Sequence, residues 1–106
     1  MAKLFMSEWN LHNMTYYNQI IYVLENKEVR IIIKNLSYKI AGEQQGRFIR
    51  LNPRLDILST CIHEILHYLY PEWTEKKVLR VEMEICRSLS PRKFKKILKL
   101  MSDCIR

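Results

Sequence analysis

Glycine is nearly absent from this sequence, and its scarcity excludes two large classes of nucleotide-binding protein. The 106 residues include two glycines. They stand at positions 42 and 46, so the sequence contains neither the GxGxxG nor the GxxxxGK loop that cradles the phosphates of dinucleotides and nucleoside triphosphates. The chain is also too short for two independent hydrophobic cores, so a single domain is predicted over residues 1–106.

Cysteines and long apolar runs are also scarce. The three cysteines form an odd number without CxxC spacing, a pattern that indicates neither a disulfide framework nor a four-sulfur zinc site. The apolar patch at residues 4–6 is too short for a signal peptide. Runs such as residues 20–24 fall far below the roughly 18 residues of a membrane span. A cytoplasmic protein without a membrane span is therefore expected.

Positive charge is abundant and unevenly distributed. Residues 1–73 carry 8 basic and 7 acidic side chains, whereas residues 74–106 carry 10 basic and 4 acidic ones. The densest basic segment, residues 91–99, has the charge to meet nucleic acid, an anionic membrane or an acidic protein. A solvated helix face is the simpler interpretation of such a run.

The first half of the chain predicts one helix followed by strands. Apolar residues at helical spacing predict a helix over residues 14–26. A β-branched run predicts a strand over residues 29–34, with a second strand over 37–41. Residues 42–46 are expected to form a polar turn. Residues 47–51 then form a third strand, whose two arginines suit the edge of a sheet.

The second half predicts helices. Asn52, as the cap before a proline, starts a helix that runs to about Tyr70, where Pro71 stops it. Two further helices are predicted over residues 74–88 and 90–103, each after a Ser or Thr cap. An α+β domain is therefore expected, with a small sheet of about three strands and three to four helices.

The chemistry-bearing motif lies on the first of these later helices. Residues 63–67 read HExxH. On a helix, His63 and His67 are about 40° apart, so both imidazoles can bind one metal ion. They flank the apolar stripe of the helix rather than interrupt it. Glu64 is positioned to reach water at that metal and is predicted to be the general base.

A catalytic zinc usually takes three protein ligands, and two glutamates compete for the third place. Glu82 lies among apolar residues and has no basic residue at helical spacing, so its carboxylate needs a positive partner. Counting helical rise from both sides of the loop also favours Glu82. Glu75 remains the alternative, although its place in the first helical turn is already explained by the helix dipole. One catalytic Zn²⁺ held by His63, His67 and Glu82 is therefore predicted.

The sequence HEILHYLYPEW followed by TEKKVLRVE resembles the gluzincin clan of metallopeptidases. In its small size the chain is similar to the minigluzincins, minimal relatives of the catalytic domains of membrane metallopeptidases. The resemblance is tightest over residues 51–89 and implies a minimal zincin-like fold with a catalytic core at about residues 29–89. It also implies a zinc site of two histidines and a downstream Glu, with Glu64 as base and acid, on a helix under the sheet. The carboxylate that this family carries four residues after the glutamate ligand is replaced here by Cys86.

The resemblance implies partners and a form of regulation as well. The predicted edge strand Arg47–Leu51 would hold an extended peptide or protein substrate by strand addition. Minigluzincins resemble zymogens in which flanking segments block the cleft, and by analogy the basic helix and tail over residues 90–106 is the blocking segment. Nucleic acid is not an expected partner, because Phe94 is the single aromatic residue within the basic segment.

The function expected from the sequence is therefore a zinc metallopeptidase that hydrolyses peptide bonds with a metal-bound water activated by Glu64. Two alternatives stay open: a catalytically silent, zinc-stabilised scaffold, and a basic module that binds nucleic acid or protein. Tyr70 and His12 are candidate oxyanion donors, and Asp56 and Thr60 are candidates for orienting the histidines. Packing or surface roles are the simpler interpretation of these four residues.

Overall fold

The structure, a computed structural model, describes the backbone of residues 8–53 and 56–105 and the side chains of residues 10–53 and 56–105. The apolar patch at residues 4–6 and the last residue of the basic tail, Arg106, lie outside the described residues. The elements in chain order are α1 (Glu8–His12), α2 (Tyr16–Glu25), β1 (Arg30–Ile33), β2 (Gly42–Gln45), β3 (Phe48–Leu51), α3 (Ile57–Leu69), α4 (Glu75–Arg87) and α5 (Pro91–Cys104).

The α+β prediction with a three-stranded sheet is confirmed. The described residues contain five helices, more than the three to four predicted, because the short α1 was not anticipated. In the part of the chain that the structure describes, no helix is both long and apolar enough to cross a membrane.

Four of the helices begin with a side-chain cap of the same kind. Thr15, Asp56, Thr74 and Ser90 each accept a hydrogen bond of 3.2 Å from the backbone N–H three residues later. Such caps satisfy one of the free N–H groups at a helix start. The predicted starts of α4 and α5 are therefore confirmed.

The predicted start of α3 is wrong. The cap is Asp56 rather than Asn52, and the helix begins at Ile57. Asn52 is buried, and its Nδ2 donates to the carbonyl oxygens of Leu36, Ser37 and Ile40 at 3.1–3.4 Å. The amide therefore fastens the loop before β2 to the end of β3, a tertiary contact that the local Asn-Pro pattern does not reveal.

Two predictions about the sheet are also wrong. Residues 37–41 form no strand, whereas β2 covers Gly42–Gln45, which was predicted to be a turn. The strand order is β1-β3-β2, so the segment Arg47–Leu51 lies in the centre of the sheet and not at its edge. A left-handed residue, Gly46 with φ 58°, makes the tight connection between β2 and β3. The polar residues of β2 are compatible with a strand because they occupy an edge with one exposed face.

The sheet is mixed. β1 pairs with β3 in parallel, with Arg30 opposite Phe48, and β2 pairs with β3 in antiparallel, with Gly42 opposite Leu51. The helix α3 packs on β2 and β3, whereas α5 packs on α2 and β1. The buried apolar stripe of α3 comprises Leu58, Cys61, Ile62, Ile65 and Leu66. This packing fixes the orientation of α3 and leaves its histidine face next to β2 and α4.

Candidate metal centre

Two helices bring three potential metal ligands together. His63 and His67 project from α3, and Glu75 is the first residue of α4. One carboxylate oxygen of Glu75 lies 2.5 Å from His63 Nε2, and the other lies 2.8 Å from His67 Nε2. The three ligand atoms lie within 4.8 Å of one another. The HExxH spacing thus places both Nε2 atoms toward one carboxylate, as the sequence predicted for the two histidines.

Aromatic stacking fixes the turn that delivers Glu75. The rings of Tyr70 and Trp73 stack in parallel with centroids 3.9 Å apart, and Tyr16 packs edge-on against both. The ammonium of Lys77 lies 4.5 Å from the Trp73 ring centroid. These contacts pack the short connection between α3 and α4, and the first residue of α4 faces the last turns of α3.

Glu82 occupies a different place in the cluster. Its Oε1 lies 2.7 Å from His63 Nδ1, and its side chain is 15% exposed. In the tautomer that carries a hydrogen on Nδ1, this nitrogen donates to Glu82, and Nε2, which faces Glu75, is the nitrogen that could bind a metal ion. The structure places Glu75, the sequence alternative, in the group of three ligands. Glu82, the predicted third ligand, contacts the opposite nitrogen of His63.

The sequence favoured Glu82, although helical spacing alone does not separate the two glutamates. Glu75 and Glu82 are seven residues apart, about two helical turns, so both lie on the same face of α4. The choice depends on where α4 crosses α3, which is a tertiary property. Cys86, four residues after Glu82, stands where the resemblance implies a carboxylate that supports the histidines. In the structure Glu82 itself contacts His63 Nδ1, from seven residues after Glu75.

Glu64 lies beside the cluster and is buried, with 7% of its surface exposed. Burial raises the pKa of its carboxyl above the usual range, and the neighbouring His63 and His67 only partly oppose this effect. For Glu75 the balance is reversed. Partial burial disfavours its charged form, but the charges and hydrogen bonds of His63 and His67 outweigh that effect and hold its pKa below the usual range. One carboxyl is thus suited to binding a cation, and the other to accepting a proton.

The cluster opens into a cavity of about 340 Å³, here named the metal cavity. Its lining residues are Lys39, Ile40, Ala41, Gly42, Thr60, His63, Glu64, Glu75 and Glu82. A Cβ on Gly42 would lie 2.7 Å from Thr60 Cγ2, so the glycine permits the close approach of β2 to α3. Residues 39–42 carry no sequence signal for a metal site, because their types are common in loops and strands, and only the fold places them in this wall.

The remaining sequence candidates are used elsewhere. The hydroxyl of Tyr70 donates to Gln19 at 2.5 Å, and His12 stacks on the Tyr70 ring at 4.9 Å. Neither residue lines the metal cavity, so the structure does not bring these two oxyanion candidates to it. Asp56 caps α3, and Thr60 lines the cavity. Cys61 is fully buried, and burial strongly raises the pKa of its thiol.

The basic tail does not cover the metal cavity in the part that the structure describes. The helix α5 packs on α2 and β1, and none of its residues lines the cavity. The apolar side of α5 is instead committed to the core through Ile97, Met101 and Cys104. The described part of the tail therefore does not block the metal cavity, contrary to the expectation from the sequence.

The donor set is chemically suited to zinc. Two imidazole nitrogens and one carboxylate oxygen are the ligands of many catalytic zinc sites, which keep a further position open. A carboxylate on the second nitrogen of a ligating histidine also recurs in such sites, and Glu82 supplies it here. The residues present therefore fit a zinc ion.

Comparisons with known proteins return no relative. No family model, no curated protein and no solved structure matches the chain. The candidate metal centre is therefore described from the geometry of this chain alone. Its central elements are the histidine face of α3 and the two glutamates of α4.

Proposed function

We propose that this protein is a zinc-dependent metallopeptidase of the gluzincin type. The observation that carries the proposal is the convergence of His63, His67 and Glu75 within 4.8 Å. The buried Glu64 lies beside them on the wall of an open cavity. A metal cluster without a neighbouring base would suit a purely structural site equally well, so the position of Glu64 favours catalysis.

In this proposal His63, His67 and Glu75 hold the zinc ion, and Glu82 keeps His63 in the required tautomer. When bound, zinc would polarise the scissile carbonyl and lower the pKa of water toward about 7. Glu64 accepts the proton of the attacking water and delivers it to the leaving amine. The raised pKa of Glu64 suits this role, because the carboxyl must hold the proton between the two transfers.

The substrate proposed is a peptide or protein segment in extended conformation. Since Arg47–Leu51 is central, the strand available for peptide addition is β2, Gly42–Gln45. β2 pairs with β3 along one side and with no other described strand. Its first residue lines the metal cavity. A peptide added along β2 would therefore run past the histidine face of α3.

The three cysteines are free in the structure. Free thiols accord with a reducing compartment. A cytoplasmic location is therefore kept as part of the proposal.

A zinc-stabilised scaffold without turnover is the second candidate. The specific observation in its favour is that Glu75 and Glu82, two turns apart on α4, both bond to the histidine face of α3. The cluster thus joins two helices of a small domain, and metal binding would stabilise that contact.

Substitution Glu64→Gln separates the two candidates. The zinc-loaded protein is assayed against a library of quenched fluorescent peptides, and zinc content is measured on the same samples. We expect Glu64→Gln to keep its zinc and to lose at least about 100-fold in kcat/KM, because only the general base is removed. The matched control is Glu84→Gln, an exposed glutamate of α4 outside the metal cavity, which should cleave like the parent protein.

Two results would contradict the peptidase proposal. One is full activity in Glu64→Gln, which would remove the assigned base. The other is a parent protein that binds one zinc ion and cleaves none of the peptides, a result that would favour the scaffold.

A further inference from the structure

A second cavity lies at the opposite end of β3 from the metal cavity. It measures about 290 Å³ and is here named the basic cavity. Three of its lining residues are cationic: Lys27, Arg30 and Arg47. They come from three separate segments, namely the turn after α2, the start of β1 and the turn before β3. The pairing of β1 with β3 therefore brings Arg47 next to Lys27 and Arg30, which lie in an earlier part of the chain.

The backbone holds these three residues in defined positions. Arg30 N–H donates to Arg47 O at 2.8 Å, which places the two arginines at neighbouring strand starts. Arg47 follows the left-handed Gly46, and Lys27 itself has a left-handed φ of 51°. A lysine in that region is uncommon and is held there by its surroundings. Strand pairing and tight turns thus define the backbone positions from which the three exposed side chains extend.

Among the residues that the structure describes, the three cations have no carboxylate at ion-pair distance. The ion pairs among residues 10–53 and 56–105 involve His63, His67 and Lys96, so none of the three has a carboxylate oxygen within 4.0 Å. The neighbouring Glu28 already accepts a hydrogen bond of 2.9 Å from the Tyr68 hydroxyl. Like charges that share one cavity repel one another, and an anion bound between them would remove that repulsion.

One carboxylate, that of Asp103, also lines the basic cavity. Asp103 belongs to the wall of the cavity that the end of α5 forms, next to Ile105, which pairs with Ile31 of β1. Asp103 lies outside ion-pair distance of the three cations. A ligand with one diffuse negative charge would gain little there, whereas a compact dianion would gain more from three cations than it loses to one carboxylate.

We propose that the basic cavity binds a phosphate group. Arginine presents a planar fork that matches two phosphate oxygens, and lysine adds a point charge. Two arginines and one lysine around one cavity therefore suit phosphate better than a carboxylate. A neighbouring cavity of about 390 Å³, lined by Lys27, Glu28, Arg47 and Tyr68, leaves room for the group that carries the phosphate. Because Glu28 is acidic, that group should be neutral or offer hydrogen-bond donors on the Glu28 side. The phosphate is that of a small phosphomonoester or of a polynucleotide, and both present the same chemistry to the cavity.

The experiment is a calorimetric titration of the full chain with inorganic phosphate. A chelator is present, so binding through a metal ion is excluded, and chloride keeps the ionic strength constant. The parent protein should bind phosphate saturably. Arg30→Gln and Arg47→Gln should each raise Kd at least about tenfold, because each removes a charge-assisted bidentate contact. Asp103→Asn should lower Kd about threefold, because it removes a carboxylate that lines the basic cavity and repels the phosphate.

The control is Arg87→Gln, the same substitution at an exposed arginine of α4 outside the basic cavity, which should leave Kd unchanged. A parallel titration with a single-stranded oligothymidylate of about 12 nucleotides distinguishes the sources, since such strands bind through their phosphates. Saturation by phosphate alone indicates a small ligand, and arginine-dependent binding of the oligonucleotide alone indicates a polynucleotide. Circular dichroism checks that every variant is folded, and Lys27→Gln provides a third variant if one arginine variant unfolds.

The proposal is overturned if neither ligand binds saturably. It is also overturned if Arg87→Gln weakens binding as much as Arg30→Gln, because the effect would then come from net charge alone. Neither result bears on the metallopeptidase proposal, which concerns the other end of β3.

Discussion

Cavities of similar size lie at the two ends of β3, and their charged lining residues are mostly acidic at one end and mostly basic at the other. At the end of β3 the metal cavity, about 340 Å³, is lined by three glutamates, one histidine and one lysine. At the start of β3 the basic cavity, about 290 Å³, is lined by three cations and one aspartate. In the first, Glu75 and Glu82 are both hydrogen-bonded to histidines. In the second, no described carboxylate lies within ion-pair distance of a cation.

This difference in charge compensation predicts how the stability of the protein responds when a charged side chain is removed at each end. Removing one member of a compensated, partly buried cluster leaves its partner without a hydrogen bond, which costs stability. Removing one member of an exposed, uncompensated cluster relieves repulsion and costs little. The two ends should therefore respond to charge-removing substitutions with effects of opposite sign.

The largest expected effect concerns the two glutamates of the metal cavity. Glu75→Ala should lower zinc affinity at least about 100-fold, because a ligand is lost, whereas Glu82→Ala should lower it about 10-fold, because the histidine loses its orienting partner. Zinc competition with a chromophoric chelator measures both values. Zinc should also raise the Tm of the parent protein and not that of Glu75→Ala. If Glu82→Ala lost more zinc affinity than Glu75→Ala, Glu82 and not Glu75 would be the zinc ligand.

The two glycines, one near each end of β3, should differ in the free energy of unfolding that is lost when each is replaced by alanine. Gly42→Ala places a Cβ 2.7 Å from Thr60 Cγ2 and should cost about 1–3 kcal/mol, because β2 must move away from α3. Gly46→Ala meets no atom within 4 Å. It should cost only about 1 kcal/mol, from its left-handed φ. Urea unfolding measures both free energies. A larger cost at Gly46 would mean that the hairpin, rather than the contact between β2 and α3, limits stability.

The smallest expected effect tests the sign difference directly. The double variant Arg30→Gln, Arg47→Gln should gain about 0.3–0.5 kcal/mol at low salt, because repulsion in the basic cavity is relieved. Glu82→Gln at the other end should lose about 1 kcal/mol, because the carboxylate facing His63 is lost. Unfolding at low and at 1 M salt provides the check, since screening should abolish the gain of the arginine variant. Effects of the same sign at both ends would remove the distinction between them.

Local patterns predicted the helical half of the molecule well. The caps Thr74 and Ser90 start α4 and α5 as predicted, because a cap and its helix are neighbours in sequence. Strand order could not be read in the same way. The segment Arg47–Leu51 has edge-like arginines and lies in the centre, because the pairing of β1 and β2 on its two sides depends on the whole fold. Asn52 resembles a helix cap and instead bonds to a loop 12–16 residues earlier.

The arrangement of the histidine pair follows from local sequence. Four-residue spacing on one helix places His63 and His67 on one face, with Glu64 beside them, whatever the rest of the chain does. Glu75 and Glu82 share a face of α4, so the crossing of α4 over α3, a tertiary property, selects which carboxylate meets both Nε2 atoms. Only the tertiary structure gathered Lys27, Arg30 and Arg47, since parallel pairing of β1 with β3 joins segments that are distant along the chain. Helical spacing is a local rule, whereas strand pairing and helix crossing arise from packing of the whole core.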